Sequence, residues 1–214
     1  MAAPVLGDRM AALREAASEQ SRRLYDALVT HLRDSGALAG VLKEGETFPD
    51  FQLASAEGSL ITRGQALADG PAVFVFDRGA WCPYCTIAFG ALEDAAPQIM
   101  ATGAKLFAIT PEAGGRTLRM KHERGLQFEI LCDLDHVLAH QCGLAFPASD
   151  ELRKAYLERG IDLERLYGND AWMLPAPAAF VVRPDATIAY AHVDADFRYR
   201  LEPLKIVGIL RRLV

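Results

Sequence analysis

A chain of 214 residues, 51% hydrophobic and 24% charged, carries enough apolar sequence to bury a sizeable core in one domain with extensions, and needs no disulfide framework to fold. A formal net charge of −5 gives no electrostatic ground for a nucleic-acid partner, and no run of Lys or Arg suggests a membrane-surface patch. The N-terminus lacks a basic start followed by an apolar stretch, and no segment approaches the roughly 18 uninterrupted apolar residues of a membrane span, so a soluble, cytoplasmic protein is expected.

In chain order, residues 8–32 set Leu13, Leu24, Leu28 and Leu32 among many charges, the pattern of an amphipathic helix ending near Gly36. Residues 1–44 are therefore expected to form a helical extension, with the main domain spanning 45–214. That domain opens with two short extended runs, 51–54 and 59–62, around a turn at Glu57-Gly58. Ala72-Val73-Phe74-Val75-Phe76 is a continuous apolar run of strand length, expected to be buried on both faces. A helical pattern follows over 82–100, with Pro97 expected to end or kink it. Strands are predicted at 105–109 and 128–131, and helices at 116–124 and 135–141. A charged helical stretch over 149–170, broken at Gly160 and Gly168, reads as an insertion or lid. A hairpin of 178–182 and 186–192 turns at Pro184-Asp185, and a helix over 201–213 closes the chain. Strands alternating with helices argue for α/β layers around a mixed sheet.

The chemistry concentrates in Trp81-Cys82-Pro83-Tyr84-Cys85. Cytosolic thiols are kept reduced, so a Cys-x-x-Cys pair there is redox-active or metal-binding rather than a staple. A buried strand delivers the chain to Asp77-Arg78-Gly79-Ala80, and a helix begins at about Cys82 with Pro83 suited to its first turn. The helix N-terminus then favours the thiolate of Cys82. Lowering a thiol pKa from ~8.5 to roughly 6.5 raises its ionised fraction at about pH 7.4 from about 7% to about 90%. Cys85, three residues on, shares the helical face and can reach Cys82. A disulfide closing so short a loop constrains the unfolded chain by only roughly 2 kcal/mol, a poor staple and a good reversible switch.

The surrounding residues divide by charge and shape. Arg78 adds positive charge near the thiolate, whereas Asp77 would raise the pKa of a nearby thiol. Trp81 and Tyr84 shield the pair or pack the strand–helix turn. Cys132 and Cys142 form no second Cys-x-x-Cys, so zinc spacing is absent and no metal or organic cofactor is expected. Cys132 reads as a buried small hydrophobe, and Cys142 is the weaker candidate for an additional resolving thiol. His122, His136 and His140 are expected at the surface, and His192 ends a strand beside Asp194.

These motifs together resemble the peroxiredoxin-like branch of the alkyl hydroperoxide reductase / thiol-specific antioxidant family, in the thioredoxin-like superfamily. The resemblance is carried by Pro49-Asp50-Phe51-Gln52-Leu53, Arg78-Gly79-Ala80-Trp81-Cys82-Pro83-Tyr84-Cys85, Ile109-Thr110-Pro111-Glu112, Cys132-Asp133-Leu134-Asp135 and Pro175-Ala176-Pro177-Ala178-Ala179-Phe180. It implies a thioredoxin-like fold, a central mixed sheet flanked by helices. It implies reduction of a hydroperoxide or a protein disulfide, with thioredoxin or a glutathione-type reductant closing the cycle and a homodimer among the assemblies allowed. It also implies that Pro177 is the cis-proline facing the cysteine pair. With Cys85 aligned to the peroxidatic cysteine, Arg78 stands in place of the family's proline, Cys82 in place of its Thr or Ser, and Pro177 where its arginine is expected. Two assignments follow: Cys82 attacks and Cys85 resolves, as in thioredoxin, or Cys85 meets the peroxide and Cys82 resolves. Helix geometry favours the first. A non-catalytic redox sensor or binding protein of the same fold is the alternative.

Overall fold

The computed structural model describes residues 5–113 and 115–213. Two helices lead the chain, α1 (Leu6–Ala16) and α2 (Glu19–Asp34), where the sequence pattern predicts one. Ser18 makes the break: its side chain caps α2 by accepting a hydrogen bond from the Ser21 N–H at 3.2 Å. α1 buries Leu6 and Met10 and α2 buries Leu28, Val29 and Leu32, so one stripe of each faces the domain.

The expected hairpin is present as β1 (Gln52–Ser55) and β2 (Leu60–Thr62). It is followed by α3 (Arg63–Leu67), whose Thr62/Gln65 capping box the pattern reading passed over. Strands β3 (Ala72–Phe76), β4 (Lys105–Thr110) and β5 (Glu129–Cys132) run parallel, joined through α4 (Pro83–Met100) and α5 (Arg116–Arg124). Pro97 does not stop α4 at once; the helix runs one further partial turn to Met100. After α6 (Val137–Gln141) a two-stranded sheet, β6 (Ala145–Pro147) and β7 (Met173–Pro175), ties the base of the insertion. The insertion itself holds α7 (Asp150–Glu158) and α8 (Leu163–Tyr167). The hairpin β8 (Ala178–Val182) and β9 (Ile188–Val193) then leads to α9 (Pro203–Leu210).

The main sheet has the order β2-β1-β5-β4-β3-β8-β9, with β3 and β4 central. Alternation along β3 explains its unbroken apolar run. Phe74 and Phe76 enter one core layer with Phe48, Phe107 and Phe180, while Val73 and Val75 enter the other with Phe89, Ile99 and Ile206. A central strand covered on both faces has a rigid C-terminal end, and the thiol pair is mounted there.

Candidate functional site

β3 ends at Phe76 and passes into the loop 77–82. Gly79 takes φ +110°, and a Cβ there would meet the Glu112 carboxylate at 2.8 Å, so the turn requires glycine. Glu112 braces this loop: its Oε2 accepts hydrogen bonds from the Ala80 N–H at 2.7 Å and the Thr117 hydroxyl at 2.9 Å. Cys82 is the N-cap of α4 and Pro83 its first residue, as the sequence predicts. Both thiols are free and buried, Cys82 at 3% exposure and Cys85 at 0%.

The two sulfurs occupy opposite electrostatic environments. Burial alone pushes the Cys82 pKa up, but hydrogen bonding from Cys85 and the charges of Arg78 and Arg200 outweigh it and bring the thiol down to about 7. Burial pushes Cys85 well above the ordinary thiol value, and donation to Cys82 together with the Asp77 carboxylate pushes it the same way. The Cys85 sulfur accepts a hydrogen bond from the Arg78 N–H at 3.4 Å and lies 3.9 Å from Nη2 of Arg200.

Arg78 and Asp77 behave as their charges predict. The Arg78 side chain is 1% exposed, its guanidinium 4.3 Å over the Phe197 ring and 5.9 Å from that of Phe146, with Nε directed at the Pro175 carbonyl at 3.5 Å. Nη2 has no hydrogen-bond partner among the described residues. Asp77, 0% exposed, pairs with Nη1 of Arg200 at 2.6 Å. Sequence reasoning missed Arg200, which lies 115 residues from Cys85 in the segment after β9 and carries no local signal. It stands beside the pair although Pro177 occupies the place where the family resemblance puts an arginine.

An aromatic shell encloses the pair. Tyr84 is buried against Phe197 at 5.5 Å and Tyr25 at 6.2 Å, so α2 reaches over the site; Trp81 packs on Tyr156 of α7 at 5.6 Å and tilts against Tyr167 of α8. The Tyr167 hydroxyl donates to the Arg78 carbonyl at 3.0 Å. The insertion and the extension, weak features in the sequence, thus form two walls around the thiols. Pro83 remains exposed.

Other expectations are corrected. No peptide bond among the described residues is cis, so Pro177 is trans; it is nevertheless buried just before β8, beside Arg200 and Ala88. His136 is not a surface residue. It takes φ 57° at the start of α6, which turns its ring inward against Tyr167, leaving it 1% exposed; burial lowers its pKa to about 4. The Asp133 carboxylate caps α6 instead, accepting from the N–H groups of Leu138 and Ala139. His122 and His140 are exposed and His192 is half-buried on β9. Cys132 ends β5 only half-buried, whereas Cys142 is fully buried and its pKa is raised by desolvation, which leaves it inert. Among the described residues, no group of His, Cys, Asp and Glu side chains could hold a metal ion, and no helix is long and apolar enough to cross a membrane.

Residues 45–191, more than half of the chain, match the model of the AhpC/TSA family. The chain belongs to that family. It is accordingly a thiol oxidoreductase of the peroxiredoxin type. Among solved structures, it is similar to peroxidoxin BcpB of Mycobacterium tuberculosis, at 20% identity and TM-score 0.64 over 81% of this chain and 99% of that one. Peroxiredoxin 6 of Arenicola marina is similar at 18% identity and TM-score 0.62, over 80% of this chain and 73% of that one. The yeast mitochondrial 1-Cys peroxiredoxin, whose thiol is resolved via glutathione/thioredoxin systems, is similar at 15% identity and TM-score 0.61, over 81% of this chain and 76% of that one. These likenesses place the thioredoxin-like fold. No curated protein matches the sequence. The family match begins at Gly45, so α1 and α2 lie outside it.

Proposed function

We propose that this family member reduces hydroperoxides with Cys82 as the attacking thiol and Cys85 as the resolving thiol. The observation that carries the reading is the split between the two sulfurs: Cys82 held near pKa 7 and Cys85 held well above the ordinary thiol value. The Cys82 thiolate attacks one peroxide oxygen; the S–O bond forms, the O–O bond breaks, and the alkoxide leaves with a proton from solvent. The unpaired Nη2 of Arg78 offers a donor to the negative charge developing on oxygen. Cys85 then loses its proton and attacks the Cys82 sulfenic acid, releasing water and closing the disulfide. Two thiol equivalents from a glutathione- or thioredoxin-type reductant restore the dithiol. This cycle requires no metal or organic cofactor.

Burial supports a small oxidant over a folded protein disulfide, because both sulfurs lie behind Trp81, Tyr84 and the α2 and α7 walls. Stopped-flow mixing of the reduced protein with hydrogen peroxide and with an alkyl hydroperoxide tests the reading. Rates far above those of a free thiol are expected. Rates no better than a free thiol alongside brisk reduction of insulin disulfides would move the function to disulfide exchange; neither activity, with redox-dependent partner binding, would make it a sensor.

A further inference from the structure

Cys82 is bracketed by Trp81 and, two residues on, Tyr84, and each of these packs on a tyrosine brought in from another segment. Trp81 lies edge-on to Tyr156 of α7 at 5.6 Å, and Tyr84 edge-on to Tyr25 of α2 at 6.2 Å. Tyr25 also meets Phe197 edge-on at 5.3 Å, and Phe197 is the ring that carries the Arg78 guanidinium. The attacking thiol, the buried guanidinium and two phenols therefore form one cluster, drawn from the thiol loop, the insertion and the extension. Tyr25 precedes Gly45 and lies outside the family match, so the family domain alone does not supply it.

The hydroxyls of this cluster are not equivalent. Tyr167 is committed, donating to the Arg78 carbonyl at 3.0 Å. Burial raises the Tyr84 pKa and the cation that opposes it is Arg198, not Arg78, so its hydroxyl serves the far side of the cluster. Tyr25 and Tyr156 make no hydrogen bond among the described residues, and both feel the same two charges. Burial raises the Tyr25 pKa, a Cys82 thiolate raises it further, and Arg78 lowers it. Burial likewise raises Tyr156, against Arg78, with Tyr25, Cys82 and Cys85 adding to the rise. Both phenols keep their protons at neutral pH and are donors. Nη2 of Arg78 is buried without a partner as well. Three donors left without acceptors around an anionic sulfur are costly, and they suit a ligand that offers acceptor oxygens there.

We propose that Tyr156 and Nη2 of Arg78 hold the peroxide in line with the Cys82 sulfur, and that Tyr25 protonates the oxygen that leaves. The Cys82 thiolate forms an S–O bond with the terminal oxygen of the hydroperoxide, which keeps its hydrogen in the resulting sulfenic acid. The O–O bond breaks, and its electron pair stays on the departing oxygen. That oxygen takes the Tyr25 proton and leaves as an alcohol, or as water when the oxidant is hydrogen peroxide. The Tyr25 phenolate, facing the Arg78 charge, regains a proton from solvent through its half-buried position, so the net proton is still supplied by solvent. Tyr156, 1% exposed, has no such route and serves to hold the substrate.

This assignment rests on Cys82 being the thiol that meets peroxide, and one set of rate measurements keeps the two claims apart. Tyr25→Phe and Tyr156→Phe retain the rings and remove only the hydroxyls. Each reduced protein is mixed in stopped flow with hydrogen peroxide, with peracetic acid, whose acetate leaves without needing a proton, and with iodoacetamide, which reports the thiolate alone. Both variants should lose at least about tenfold in the hydrogen peroxide rate, the scale of a lost acid or oxyanion donor, with the iodoacetamide rate within about twofold of wild type. Tyr156→Phe should slow peracetic acid as well, whereas Tyr25→Phe should spare it. Unchanged hydrogen peroxide rates, or peroxide and iodoacetamide rates that fall in step, overturn the donor set. A Tyr25→Phe protein that slows both oxidants equally overturns the proton transfer. Wild type that meets peroxide no faster than a free thiol sinks the peroxidase reading itself, and the donor set with it.

Discussion

The guanidinium of Arg78 lies 4.3 Å over the ring of Phe197, inside the protein and without a carboxylate partner among the described residues. A buried cation without a counter-ion is costly. The Cys82 thiolate is the anion this arrangement leaves to balance it, and Arg78 is among the charges that lower the Cys82 pKa. Arg78→Met keeps an apolar stem over Phe197 and removes the charge. The Cys82 pKa should then rise by about one unit, slowing iodoacetamide labelling at neutral pH by up to about tenfold. An unchanged pH–rate profile would remove Arg78 from the account.

The Cys82 pKa also sets a pH dependence of stability. Its folded value, about 7, lies below the ~8.5 of an unfolded cysteine, so the native state releases this proton first. The stabilisation is fully present above about pH 8.5 and is lost as pH falls through 7, on the order of 2 kcal/mol. Cys85 has the opposite sign: held protonated in the fold, it destabilises the native state as pH climbs past the unfolded value. Urea denaturation of reduced wild type and Cys82→Ser at pH 6.5 and 8.5 should show wild type gaining on the variant at the higher pH. Parallel curves would mean that Cys82 is not ionised early.

His136 predicts an acid sensitivity of its own. Its folded pKa of about 4 lies below the unfolded ~6.5, so the unfolded chain binds the extra proton and stability drops as pH falls from about 6.5 toward 4. Asn tolerates the left-handed backbone that His136 adopts. His136→Asn should therefore flatten the stability profile in this window while leaving the native fold intact. A profile as steep as that of wild type would assign the acid loss to other groups.

Periodicity and apolar runs were enough to place β3, β4, β5, the terminal hairpin and α4, because each is long or buried on both faces and local composition decides it. The placement of Cys82 and Cys85 at a strand-to-helix turn was equally legible, since strand, Pro83 and helix start are contiguous. What the sequence concealed depends on distant partners. Arg200 reaches Cys85 across 115 residues. Glu112 acts through the backbone of Ala80. β6 and β7 are three residues each and exist because they pair with one another. His136 sits in a charged stretch, but its left-handed backbone reverses the side it faces. Pro177, expected as a cis-proline facing the cysteine pair, is trans and buried before β8 beside Arg200, and a proline before a strand cannot reveal its isomer.

Beside the packing of α1 and α2, the end of the extension makes one close backbone approach to the domain. Gly143 has φ +72°, and a Cβ there would run into the backbone carbonyl of Gly40, next to the bond from the Leu42 N–H to the Cys142 carbonyl at 3.3 Å. Gly143→Ala should cost at least about 2 kcal/mol through backbone strain and displacement of residues 40–42. A thermal melt reads it as a lowered Tm. A melt that matches wild type would show that the extension gives way freely.

The division of labour between the sulfurs is tested most directly by mass spectrometry of the two single variants after one equivalent of hydrogen peroxide, with dimedone present to trap sulfenic acid. The account predicts a single dimedone adduct on Cys82 in Cys85→Ser, none on Cys85 in Cys82→Ser, and a Cys82–Cys85 disulfide in wild type. An adduct on Cys85 in the Cys82→Ser protein, formed as fast as wild type consumes peroxide, would contradict it.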